Sequence, residues 1–84
     1  MPVEELLLLL ARGLVDEPEE VAVERFEEDD ETLLLELSVA SGDYGKVIGK
    51  GGRTVQALRT VVRAAASAER SHTAPRRVLV EIVD

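Results

Sequence analysis

The 84-residue chain predicts a two-layer α+β domain of order α-β-β-α-α-β, with a three-stranded mixed sheet carrying three helices on one face. Three observations point there. Apolar residues recur at helical spacing near the start and again after residue 53. Alternation of apolar residues, with one exception, marks a strand over Thr32–Val39. Four of the six glycines crowd between two helical patterns, at Gly45, Gly49, Gly51 and Gly52.

The elements follow in order. Val3, Leu6, Leu7, Leu10 and Leu14 predict a helix over residues 3–12. Glu4 and Glu5 sit in its first turn, where the helix dipole favours acids, and Gly13 stops it. Pro18 makes residues 16–20 a loop. Residues 21–27 read as a strand with Val21 and Val23 on one face and Ala22, Glu24 and Phe26 on the other. Asp29-Asp30 marks a hairpin turn. In the next strand Leu33, Leu35, Leu37 and Val39 share a face, and Leu34 is the apolar exception on the other. Asp43 is placed to cap a short helix ending near Ile48. A long helix runs from Arg53 to about Arg70 with Val55, Leu58, Val62, Ala65 and Ala66 inward. Residues 71–75 break it, and residues 77–83 form the last strand. A helical connection between the last two strands makes them a parallel pair with a right-handed crossover, whereas the first two form an antiparallel hairpin.

Composition narrows function. The length suits one domain spanning residues 1–84, and the absence of Cys removes disulfide frameworks and thiolate metal sites. The longest leucine run, Leu6–Leu10, is far too short to span a bilayer, and its acidic flank is unlike a signal peptide. A soluble, cytoplasmic protein is expected, with no metal and no cofactor. The net charge of −7 hides a division: residues 1–42 hold 13 acids and two bases, a net of −11, while residues 43–84 hold four acids and eight bases, a net of +4. Binding depends on the local field, so the acidic total does not exclude an anionic partner for the second half.

The glycine cluster sits in that basic half, with the only two lysines: Gly45-Lys46-Val47-Ile48-Gly49-Lys50-Gly51-Gly52-Arg53. It leads into the start of the long helix, where outward amides and the positive dipole end attract phosphate. It is neither a P-loop, because Lys50 stands where the second glycine is needed, nor a dinucleotide fingerprint, because Thr54 stands where the third is needed. Nucleotide hydrolysis has no support.

What remains is Val-Ile followed by Gly-x-x-Gly, between a short and a long helix. This resembles the signature of the K-homology (KH) RNA-binding domain, and the element order looks like its prokaryotic, type II form. The resemblance covers the whole chain and is strongest to small free-standing bacterial KH proteins of the KhpA type. Shared features are the leucine-rich first helix, the acidic hairpin, the Gly-Lys-Val-Ile-Gly-Lys-Gly-Gly-Arg stretch, Ala57-Leu58-Arg59-Thr60 and the Val80-Glu81-Ile82-Val83-Asp84 ending. It implies an RNA chaperone or post-transcriptional regulator that is not an enzyme. In such a domain the Gly-x-x-Gly loop clamps the backbone of about four single-stranded nucleotides beside an apolar groove. Carried over, Gly49, Lys50, Gly51 and Gly52 form the clamp, Lys46 and Arg53 flank it as cations, and Val47 and Ile48 line the groove floor. Gly51 departs from the family, which often has a polar or basic residue there. The resemblance also implies a larger KH-containing partner of the KhpB (Jag) type, and self-association as a homodimer.

Arg59, Arg63 and Arg70 fall within roughly 40° of one another on the long helix, a stripe that extends the basic surface or solvates the helix edge; Arg59 joins the RNA-binding set. Tyr44 reads as a packing residue and Phe26 as buried or edge-covering. The lone His72, in a predicted loop, supports neither a metal site nor a triad, and the exposed Asp29-Asp30 pair offers no desolvated acid–base site. Arg76-Arg77 is a small basic spot. The rival reading is a KH-fold protein–protein interaction module with little intrinsic RNA affinity, using the acidic hairpin and the first helix.

Overall fold

A computed structural model describes residues 1–68 and 77–83. The expected element order is present. Helix α1 spans Val3–Arg12, strand β1 Ala22–Glu27, strand β2 Thr32–Ser38, helix α2 Tyr44–Ile48, helix α3 Arg53–Ala68 and strand β3 Arg77–Val83. Single 3-10 turns over Pro18–Glu20, Ser41–Asp43 and Lys50–Gly52 join them. The predicted break at 71–75, the end of the long helix at Arg70, Arg76 and His72 lie outside the described residues.

The sheet order is β1-β2-β3, with β1 antiparallel and β3 parallel to β2. The parallel pair follows from the α2–α3 crossover, and the hairpin from a short acidic turn. In that turn the Asp29 carboxylate accepts the Glu31 amide at 2.8 Å, which is the main reason its pKa lies below the usual value.

Side-chain alternation sends Leu33, Leu35 and Leu37 of β2 and Val78 and Val80 of β3 under the helices, where all five are buried. Helix α1 meets them with Val3, Leu7 and Ala11, one ridge at i, i+4 spacing, and α3 with Leu58, Val62 and Ala66. The inward ridge of α1 ends on Ala11, and Leu14, past the end of the helix, is exposed. Phe26 is not buried: it stands 38% exposed on the sheet face opposite the helices.

Asp43 has a different task from the one expected. It occupies the position before α2 but makes no capping bond to it. Its carboxylate is buried and accepts the amides of Asp16 and Glu17 at 3.1 and 3.0 Å, stapling the α1–β1 connection to the start of α2. Burial alone would raise its pKa. The two amides and the Lys46 ammonium outweigh burial and hold it below the ordinary 3.8.

A depressed carboxylate stabilises the fold above its unfolded pKa and loses that contribution as pH falls through its folded value. Asp43→Asn should therefore lower Tm at pH 7. The gap to the parent should close as pH drops below 3.8, as followed by thermal denaturation at the two pH values.

Candidate nucleic-acid interface

Between α2 and α3 the chain must reverse within four residues. It does so through three left-handed glycines, Gly49, Gly51 and Gly52, with φ of 77°, 66° and 78°. An L side chain is disfavoured at each. Gly49 has a second constraint. A Cβ there would collide with the Oγ1 and Cβ of Thr54 and reach within 2.8 Å of its amide nitrogen, so the loop closes onto the first turn of α3 only because the side chain is missing. A Cβ at Gly51 or Gly52 would meet nothing within 4 Å.

The amides divide accordingly. Gly49 donates to the Gly45 carbonyl at 2.8 Å, Gly52 to Gly49 at 3.1 Å and Arg53 to Lys50. The amides of Lys50 and Gly51, at the tip, find no acceptor among the described residues. Two adjacent unpaired donors thus sit just ahead of the positive end of a 16-residue helix. The Lys50 and Arg53 side chains beside them are exposed and form no ion pair among the described residues.

The other residues singled out from sequence stand differently. Lys46 is not an unattached cation. Its ammonium lies 3.1 Å from Asp16 and 3.6 Å from Asp43, and the Asp16 hydrogen bond and charge raise its pKa. Val47 cannot line a groove floor, because it is wholly buried in the core beneath α2; Ile48 is half-buried. Tyr44 packs against the core as expected. The Arg59 guanidinium donates to the Val80 carbonyl from Nε at 3.2 Å and from Nη2 at 3.0 Å, and Arg63 Nε donates to the Val78 carbonyl at 3.2 Å. The stripe on α3 therefore occupies carbonyls on the outer edge of β3, a use that neither sequence reading anticipated.

On the other flank of α3 runs an apolar groove of about 220 Å³, lined by Leu10, Leu14, Thr54, Ala57, Leu58 and Val61. Thr54 belongs to both this groove and the loop. Nothing in its local sequence marks it, since its importance comes only from facing Gly49. No group of three or more His, Cys, Asp or Glu side chains is placed to hold a metal ion among the described residues, and no described helix is long and apolar enough to cross a membrane.

The profile described as "KhpA/KhpB, KH domain" matches residues 4–81. The chain belongs to the KhpA/KhpB KH-domain family. Its relatives in that family include proteins named RNA-binding protein KhpA. One from Clostridium perfringens is 47% identical over 79 residues, covering 94% of this chain and 97% of the relative. One from Halalkalibacterium halodurans is 48% identical over 75 residues, 89% and 91% of the two chains. One from Treponema pallidum is 46% identical over 81 residues, 96% and 94%. No solved structure matches. The KH assignment accords with the mixed sheet, the parallel β2–β3 pair and the Gly-x-x-Gly turn between α2 and α3.

The two kinds of glycine should separate by mutation. Gly51→Ala carries only the left-handed penalty and should cost about 1–2 kcal/mol. Gly49→Ala adds a clash with Thr54 and should cost clearly more, about 2–4 kcal/mol, as read from urea unfolding of both variants.

Proposed function

We propose that this KhpA/KhpB-family domain binds single-stranded RNA by its backbone, as a non-enzymatic module acting in RNA chaperoning or post-transcriptional regulation in the cytoplasm. The relatives' shared name, RNA-binding protein KhpA, supports the ligand class. The observation that carries the site is the pair of unpaired amides at Lys50 and Gly51, set between two exposed cations at the start of α3. A phosphate entering the turn receives both N–H groups and the Lys50 ammonium, while Gly51 and Gly52 allow close approach and Gly49 holds the turn against Thr54. Arg53 supplies a second charge. Arg59 adds its charge on the β3 side while bonded to Val80. Ile48, half-buried, borders the path of the bases, and Val47 acts beneath it as support. Lys46, already paired with Asp16 and Asp43, holds α2 in place and contributes little to the field at the turn.

Backbone contacts carry no sequence information, so preference among sequences should be slight and affinity that of weak electrostatic binding, ~10⁻⁴–10⁻⁶ M. The proposal includes two protein partners. Self-association is supported by the apolar groove between α1 and α3, where Leu14 and Val61 stand 41% and 45% exposed. A larger KH-containing protein of the KhpB (Jag) type rests on the family resemblance.

Replacing Lys50 and Gly51 together by Asp should leave the fold intact, because Asp tolerates the left-handed region better than most residues and the tip is open, and should abolish binding of single-stranded RNA. Lys50→Ala alone should reduce the slope of log K against log salt by ~0.7, whereas Lys46→Ala should leave the slope unchanged and lower Tm. Retained RNA binding by the folded double-Asp protein would refute this site. For the dimer, Val61→Glu should convert the protein to monomer in sedimentation velocity; a parent protein that is monomeric at high micromolar concentration refutes it.

A further inference from the structure

Sheet pairing builds an arrangement that RNA binding does not use. Glu24 of β1 pairs with Glu36 of β2, and Glu36 pairs with Glu81 of β3. Paired residues point to the same side of a sheet with their Cβ atoms about 4.5–5.5 Å apart, so three carboxylates stand in one row across the face opposite the helices. Among the described residues none of the three forms an ion pair. Two positions along the strands lies a second row, Phe26, Leu34 and Leu79, joined by the same pairings and left partly exposed. Like charges placed directly opposite each other oppose folding. A row of them beside an apolar row is a surface that gains when a cation with apolar neighbours covers it.

We propose that this uncovered sheet face docks a basic amphipathic helix of a partner protein. Charge complementarity selects the occupant. RNA is repelled by the carboxylate row, and a second copy applied face to face would oppose six carboxylates. The apolar row distinguishes a protein segment from a small polyamine. Geometry selects a helix: the outer strands are separated by about 9.6 Å, close to the 10–12 Å diameter of one helix. The rows are about 6.7 Å apart along the strands, close to the 6 Å rise of four helical residues. The fitting motif is therefore an apolar residue over Leu34 and an Arg or Lys four positions away over Glu36. This face is opposite the side of the sheet that packs against α1 and α3, so docking stands apart from the RNA and dimer proposals.

The test is an NMR titration of the ¹⁵N-labelled full chain with a 20-residue helical peptide carrying Leu and Arg at i, i+4, and with a permuted peptide of identical composition lacking that spacing. The expected result is saturable shifts of β1, β2 and β3 amides with the first peptide and at least tenfold weaker binding of the second. The triple variant Glu24→Gln, Glu36→Gln, Glu81→Gln should lose at least tenfold in peptide affinity while its Tm rises by about 2–5 °C, and Glu36→Gln alone should move both quantities in the same directions. Phe26→Ala should weaken the peptide without raising Tm. Equal binding of both peptides, shifts confined to the α1–α3 groove, undiminished affinity in the triple variant, or the same face responding to single-stranded RNA would each overturn the proposal.

Discussion

The absent side chain at Gly49 is the constraint on which the functional end of the molecule depends. A left-handed residue, closed against Thr54, lets α2 end and α3 begin within one short turn. The same closure pairs the Gly49 and Gly52 amides with backbone acceptors and leaves those of Lys50 and Gly51 without one among the described residues. The conformation of one residue thus sets which donors are consumed by the fold and which remain for a ligand. Gly51 and Gly52 complete the reversal but could carry atoms without collision; their restriction lies in φ alone.

The cations divide by what lies across from them. Lys46 and Lys50 are four residues apart and look equivalent in the sequence. Asp16 and Asp43 converge on Lys46 only because Asp43 gathers the amides of Asp16 and Glu17, which carries the loop after α1 to the foot of α2. Arg59 and Arg63 keep their charge but are tethered to the carbonyls of Val80 and Val78, away from the turn. Lys50 and Arg53 are left on the loop side. The local field is therefore narrower than a count of basic residues suggests, and the acidic first half supplies part of the narrowing.

Most of the architecture was legible in the residues. The bounds of α1 and β3 were anticipated, and β1 and β2 to within a residue, because their apolar spacing is regular and their ends carry Gly, Pro or Asp. The glycine turn between α2 and α3 was legible because glycine clustering is a local signal. Features created by tertiary contact were not. Asp43 reads as a cap because the amides it accepts lie 26 and 27 residues away. The family resemblance places Val47 in the groove floor, and a five-residue helix is too short to display that it faces the core instead. Phe26 reads as buried or edge-covering because large aromatics usually are, and only strand register reveals that its face of the sheet has no cover among the described residues.

The guanidinium contacts on β3 have a consequence for the behaviour of many copies together. A strand at the border of a sheet ordinarily offers its spare carbonyls to any passing chain. Here Arg59 and Arg63 already occupy two of them, while the opposite border strand bristles with Glu24, Arg25 and Glu27. Both borders of the sheet are thus poorer templates for intermolecular ladders than bare strands would be, a protection that counts most where copies are crowded together.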